Sequence, residues 1–245
     1  MPRPDVPGDA PLDAGADLPH ATLVRLVDAH RLIASKYRPG GESVLALVAD
    51  SDADLRALFE LDHATNDRLL AEHDRLPGIG VHELVFGVPH YRVVNAAFTH
   101  AHPSGSRWNG PDRGAWYAAR ELETSQAEVI FHRAVALAEV GVWEDTATYD
   151  DYLCDVSGFL HDVRGDDRFA ACLAPDSYVA SQTLAERLLA AGSLGVVYPS
   201  VRRAGGTCVA VFRPALVANV RRAATYRFTW AGRPEPEVSA EAGPA

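Results

Sequence analysis

At Pro77-Gly78-Ile79-Gly80 the chain changes texture, and this limits what it can fold into. Downstream, short apolar runs alternate with Gly/Pro turns and with longer runs of helical period. Residues 115–119 read as a strand, entered from the turn Asn109-Gly110-Pro111-Asp112. His90-Tyr91-Arg92-Val93-Val94 reads as another. Thr124 or Ser125 caps a helix running to about Val140 and ended by Gly141, because a hydroxyl satisfies free N–H groups at the start and glycine adopts the left-handed turn at the end. A further helix is expected over 176–191, with Gly192 as its stop. Strands at 194–201 and 207–212 are joined by Arg202-Arg203-Ala204-Gly205-Gly206. Strands and helices mix without a strict βαβ rhythm, so the fold class is α+β.

Upstream, residues 20–35 carry Leu23, Leu26, Val27, His30 and Ile33 at helical spacing. A second helical run follows Asp54, with Leu55, Leu58, Phe59 and Leu61 apolar, and continues through Leu69 and Leu70. The expected organisation is a disordered leader at 1–18, a mainly helical N-terminal extension at 19–78, a catalytic domain at 79–231 and a flexible tail at 232–245.

The net charge of −10 argues against a nonspecific nucleic-acid surface, which needs a basic field, but leaves room for a local basic pocket. Cys154, Cys172 and Cys208 are few, odd in number and far apart, which speaks against a disulfide framework or a C-x-x-C zinc site. A reducing, cytoplasmic setting fits them. No apolar stretch approaches a membrane span. The P-loop, G-x-G-x-x-G, H-E-x-x-H and EF-hand motifs are missing, and the ten histidines are scattered, so no metal is expected.

The chemistry concentrates in residues 105–132. Arg107 sits beside Trp108 and Asn109, and a guanidinium packed by an aromatic presents a bidentate contact to phosphate. The competing reading is an exposed loop arginine in a surface ion pair. Trp116 and Tyr117 are neighbours in a strand and face opposite sides, so at most one lines a given pocket; core packing is the default for both. Glu128 borders an apolar helical face, where it is either a solvated glutamate near a helix N-terminus or a site carboxylate. Arg92, in the expected strand, is on a wet face or belongs to the site. Ser200 follows Tyr198-Pro199 at a strand end before a Gly-Gly loop; without a Gly-x-Ser-x-Gly elbow it suits hydrogen bonding better than nucleophilic attack. A phosphate-holding arginine, a stacking aromatic and a carboxylate that can stabilise a cation are the parts of a nucleotide site.

The ordered set Arg107-Trp108-Asn109, Trp116-Tyr117-Ala118, Thr124-x-x-Ala127-Glu128-Val129 and Tyr198-Pro199-Ser200 resembles the RES domain, named for an Arg, a Glu and a Ser in this order. The resemblance covers about residues 88–217. It implies a fold similar to the ADP-ribosyltransferase toxins and an activity that destroys NAD+ by hydrolysis or phosphorolysis, with inorganic phosphate as co-substrate in the second case and no resident cofactor. It implies the role of toxin in a bacterial toxin–antitoxin pair, whose partner is an antitoxin with an Xre-type helix-turn-helix domain. Carried over by position, the family arginine is Arg107, the tyrosine Tyr117, the glutamate Glu128 and the serine Ser200. Glu128 and Arg107 are then the catalytic pair, and Arg107, Tyr117, Ser200, Arg92 and Asn109 bind NAD+. Many members place an asparagine after the serine, opening the last strand; here that strand opens Thr207-Cys208-Val209, so either Thr207 substitutes as a hydroxyl donor or the site differs at this point. Two other functions remain open at this point: transfer of ADP-ribose to a protein, and a non-catalytic module that binds a nucleotide or a partner.

Overall fold

In the computed structural model, which describes residues 18–37 and 78–241, one mixed sheet gathers β1 (Ala21–Ala34), β2 (Trp116–Ala119), β3 (Glu144–Asp162), β4 (Gly195–Pro199), β5 (Thr207–Val211), β6 (Val217–Ala231) and β7 (Glu237–Ala240). The helices are α1 (Tyr91–Thr99), α2 (Leu122–Val140) and α3 (Val179–Ala190). The strand order is β1-β2-β5-β4-β3-β6-β7, and β1 also pairs with β3. The pairings β1–β2, β2–β5, β5–β4, β4–β3 and β3–β1 therefore close into a ring, from which β6 and β7 continue along β3. The α+β class expected from the sequence is the class observed. No helix among the described residues is long and apolar enough to cross a membrane.

The period-two alternation of strands divides the core into two layers. Val197, Val209, Val211, Trp116 and Ala118 pack on one side with Val94 and Phe98 of α1 and with Cys154, Val156 and Leu160 of β3. Val196, Tyr198, Cys208 and Ala210 pack on the other with Leu184 and Leu188 of α3 and with Phe169, and Tyr117 joins that side. The apolar runs that signalled β4 and β5 are thus covered on both faces. This is why they read clearly as strands.

Several expectations need correction. Residues 21–34 form a strand rather than an amphipathic helix. Val24, Leu26 and Ala29 are buried, whereas Leu23 and Val27 are 50% and 75% exposed. Asp28 has φ 59, and the register against β3 shifts between Leu26 and Ala29. This bulge slips the alternation by one residue, and an interrupted period of two imitates a helical spacing. Because β1 pairs with β2 and β3, the segment belongs to the sheet and not to a helical extension. The helical run after Asp54 and residues 1–17 lie outside the described residues.

Residues 91–94 open helix α1 rather than forming a strand. Val94, Asn95 and Phe98 are its buried face, and the Asn95 amide accepts from Val85 N at 3.1 Å and donates to Val85 O at 2.8 Å. Burial and this paired bond override the β-propensity of the valines. Helix α2 begins at Leu122, a little before the expected caps, and Thr124 and Ser125 lie buried in its first turns. It ends as expected at Gly141, whose φ is 72. Within the expected tail, Glu237–Ala240 pairs with β6 as β7. The sequence assigned nothing to the long, polar strands β3 and β6. Their buried carboxylates are matched individually: Asp150 accepts from Thr225 Oγ1 at 2.7 Å, and Asp151 meets His30 Nδ1 at 2.8 Å.

Candidate active site

The cleft is about 240 Å³ and is lined on one wall by α2 and on the others by β1, β2, the strand pair β4–β5 and the loop before β2. Glu128, Val129 and His132 come from α2, Tyr198 from β4 and Cys208 from β5. Tyr117 comes from β2, Arg31 from β1, Ser106 and Arg107 from the loop, and Tyr178 from the residue before α3.

Ser200 stands immediately after β4. Its Oγ accepts from the backbone N–H groups of Arg202 and Arg203, both at 3.1 Å, and donates to Glu128 Oε1 at 3.0 Å. The two N–H donors occupy the lone pairs of the hydroxyl, so its single proton is aimed at the carboxylate. Cys208 Sγ lies 4.0 Å from the same oxygen. Burial raises the Glu128 pKa above the ordinary carboxylate value; the Ser200 bond and the charges of Arg202 and Arg107 oppose that rise without cancelling it.

The loop bearing Arg107 is fixed from several sides. Ser106 and Asn109 form a two-way backbone bridge. Gln182 of α3 donates to the carbonyls of Ser104 and Ser106 at 3.0 Å and of Asn109 at 3.3 Å. Arg107 itself is buried, with Nη1 donating to Cys172 O at 3.0 Å and Ala174 O at 2.8 Å, and its guanidinium carbon lies 4.8 Å from the Tyr178 ring centroid. No carboxylate among the described residues forms an ion pair with it, and a buried guanidinium satisfied only by carbonyls keeps its charge available to an anion in the cleft.

Tyr117 holds the same loop from below. Its hydroxyl donates to Asn109 Oδ1 at 2.7 Å and accepts from Trp108 N at 2.9 Å. Burial pushes this phenol well above its usual pKa, so it stays neutral. The hydroxyl being committed, Tyr117 offers the cleft its ring. Trp116 points the other way, into the core, as strand alternation requires.

Arg107, Tyr117 and Glu128 line the cleft together, and Ser200 stands behind Glu128, outside the lining, joined to it by its hydroxyl. Asn109 is adjacent but acts on Tyr117 and not directly on the cleft. Arg92 is not in the cleft: it is exposed on α1, donating from Nε to Tyr91 Oη at 3.2 Å. Its expected place rested on a strand at 90–94 that is a helix. Thr207 also lies outside the lining. Its backbone N–H donates to Glu121 Oε2 at 3.1 Å, and the next residue, Cys208, is the one that faces Glu128.

Sequence reasoning missed Arg31, His132, Tyr178, Tyr198 and Cys208 as lining residues. His132 was readable, since it follows Glu128 by one helical turn and so shares its face. Burial, then the charges of Arg202 and Arg107, lower its pKa, which favours the neutral imidazole. Arg202 lies outside the lining, with its guanidinium carbon 3.3 Å from the Phe131 ring centroid and Nη2 donating to Pro175 O at 2.7 Å. Among the described residues, no group of three His, Cys, Asp or Glu side chains is placed to hold a metal ion.

A buried arginine and a hydroxyl-bonded carboxylate line one small cleft. The RES domain family model matches residues 83–231, and the chain belongs to that family. No curated protein matches it. Among solved structures, the crystal structure of the M. tuberculosis MbcT–MbcA toxin–antitoxin complex aligns with a TM-score of 0.40 at 19% identity, over 54% of this chain and 73% of that one.

Proposed function

We propose that this protein degrades NAD+ by cleaving the nicotinamide–ribose bond, as the toxin of a toxin–antitoxin pair. The observation that carries the reading is the Ser200–Glu128 hydrogen bond at 3.0 Å on one wall of a cleft whose other walls hold Arg107 and the Tyr117 ring. In this reading the C1′–N bond breaks and its electron pair returns to the pyridinium nitrogen, so nicotinamide leaves as a neutral molecule and needs no general acid. The ribosyl centre becomes cationic, as in glycoside cleavage. The Glu128 carboxylate stabilises that cation in a partly desolvated site, where a fixed charge acts more strongly than in water. Ser200 orients the carboxylate and favours its ionised form. Arg107 holds a phosphoryl oxygen and Tyr117 walls in the planar ring. A cleft of about 240 Å³ is at the small end for ligand sites and suits the reacting half of a dinucleotide. The acceptor, water or inorganic phosphate, bonds to C1′ and loses a proton to solvent. In the same reading, the partner is an Xre-type antitoxin that covers this cleft.

The test is nicotinamide release from NAD+ by the purified full chain, with and without phosphate. Glu128→Gln is expected to lower kcat by about 10²–10³-fold, the scale of removing one electrostatic stabiliser. Full activity in that variant refutes the assignment. Labelled NAD+ tells degradation from transfer, since stable label on protein indicates an ADP-ribosyltransferase.

A further inference from the structure

A helix usually starts at a Ser, Thr, Asp or Asn whose side chain caps its own free N–H groups. Glu121 holds that place in α2 and makes no such cap. Its Oε2 reaches sideways instead, accepting from Thr207 N of β5 at 3.1 Å and from Thr124 Oγ1 at 2.8 Å. Thr124 is fully buried. A helical threonine commonly turns its proton back onto a carbonyl of the preceding turn. Here the proton goes to Glu121, which leaves the Thr124 lone pairs for Arg203 Nη1, a donor at 3.2 Å in the β4–β5 loop.

Arg203 is held twice. Its side chain donates to Thr124, and its backbone N–H donates to Ser200 Oγ at 3.1 Å. Ser200 in turn donates to Glu128 Oε1 at 3.0 Å. Thr124 and Glu128 are one helical turn apart and share a face of α2. The hydrogen bonds Glu121–Thr124–Arg203–Ser200–Glu128 therefore leave α2 and return to it, with the serine loop caught between. Two backbone bonds fasten that loop at its base: Arg120 N donates to Thr207 O at 2.8 Å, and Ser200 N donates to Gly206 O at 2.9 Å. A carboxylate only accepts, so Glu121 sets the direction of the Thr124 proton and with it the place left for Arg203.

We infer that Glu121 is a positioning residue of the cleft, which through Thr124 and Arg203 holds the Ser200 hydroxyl on the Glu128 carboxylate. Glu121 itself stays outside the lining. Its effect on catalysis rests on the function proposed above; its effect on the Glu128 carboxyl does not. Charge and positioning act here with opposite signs. Removing a negative charge near Glu128 makes that carboxyl easier to ionise and lowers its titration midpoint. Releasing Ser200 takes away a bond that favours the ionised form and raises the midpoint. Burial raises the Glu128 pKa while the Ser200 bond, Arg202 and Arg107 oppose it, and a change at Glu121 leaves both arginines in place.

The experiment titrates the Glu128 carboxyl carbon by NMR in the full chain, with the resonance assigned from Glu128→Gln. Glu121→Ala is expected to raise the midpoint by about half a pH unit, the scale of a weakened hydrogen bond to a charged group. Glu121→Gln keeps an oxygen for both donors and is expected to restore the wild-type midpoint or fall slightly below it. In a Ser200→Ala background, Glu121→Ala is expected to add no further rise, whereas a general loosening of packing would add one. An unchanged or lower midpoint in folded Glu121→Ala overturns the inference, and so does an equal rise with and without Ser200. If alanine at this position prevents folding, Thr124→Val decides, because it removes the hydroxyl link at constant charge and nearly constant shape: the same rise is expected, and an unmoved midpoint overturns the inference. Nicotinamide release is measured in parallel, with kcat expected to fall about tenfold in Glu121→Ala at nearly constant KM and to recover in Glu121→Gln. A wild-type chain that leaves NAD+ intact refutes the proposed function, while the midpoints still decide the role of Glu121.

Discussion

The Ser200 hydroxyl accepts from two backbone N–H groups and gives its only proton to Glu128 Oε1. This geometry makes the serine a tuner of the carboxylate. Glu128 must be ionised to stabilise a cation, and its pKa is raised by burial and lowered by Ser200. Under the proposed function, activity is therefore expected above that pKa and is lost below it. Ser200→Ala removes a lowering contribution, so the acid limb of the kcat/KM profile is expected to move to higher pH, with the plateau reduced by about tenfold. An unmoved acid limb would show that the serine acts on substrate alone.

The raised pKa also has a stability consequence. A carboxyl whose folded pKa exceeds its unfolded value favours folding only while protonated, and that contribution disappears as pH rises through the folded value. At neutral pH the ionised Glu128 therefore opposes folding. Glu128→Gln keeps an acceptor for Ser200 and removes the charge, so the inactive variant should melt above the wild type at pH 7 and approach it in acid. A lower Tm at pH 7 would contradict burial as the dominant effect.

Gly206 sets the distance between the serine loop and α2. A Cβ there would lie 2.5 Å from Thr124 Oγ1 and 3.1 Å from Ser200 Cβ. Thr124 is itself tied to Glu121 at 2.8 Å and to Arg203 Nη1 at 3.2 Å, so it cannot withdraw freely. Gly206→Ala is expected to displace Ser200 from Glu128 and reduce kcat by about tenfold or more, with a smaller effect on KM. Equal kcat in the folded variant would show that the loop adjusts without moving the hydroxyl.

Arg107 gives a contrasting test. Its Nη1 is shared by two carbonyls, and the planar group lies near Tyr178. Arg107→Lys keeps the charge but loses the fork, so KM for NAD+ should rise by about tenfold or more. An unchanged KM would place the phosphate elsewhere.

Most of the candidate site was legible because its members sit on elements with strong local signals. Tyr117 lies in an apolar run after a Gly-Pro turn, Glu128 in a long helix ending at Gly141, and Ser200 at the end of a valine-rich strand. Arg31 was hidden by the bulge at Asp28, which gave a two-sided strand the spacing of a helix. Arg92 was misplaced because its valines suggest a strand, and only the tertiary bond between Asn95 and Val85 shows why α1 forms. Strands β3 and β6 carry many polar residues whose partners are far apart in sequence, as with His30 and Asp151, and no local pattern records such pairings.

The frame around the site depends on Glu83, which precedes α1. Arg113 binds it with both terminal nitrogens, at 2.8 and 2.7 Å, and Arg213 adds a bond at 2.6 Å. Arg113 also donates to Phe212 O at 2.8 Å, so one carboxylate ties the turn before β2 to the end of β5, the two strands that carry Tyr117 and Cys208. Burial alone would raise the Glu83 pKa, but Arg113 and then Arg213 outweigh it and bring it to about 2. A depressed folded pKa contributes stability that is complete above the unfolded value, 4.5, and is lost as pH falls toward about 2. Glu83→Gln is expected to cost about 1 kcal/mol at pH 7, a figure kept small because the carboxylate is partly exposed and screened by solvent. Urea midpoints of wild type and variant should differ at pH 7 and draw together between pH 4.5 and about 2. A gap that stays constant across that range would show that the loss comes from packing and not from the ion pairs.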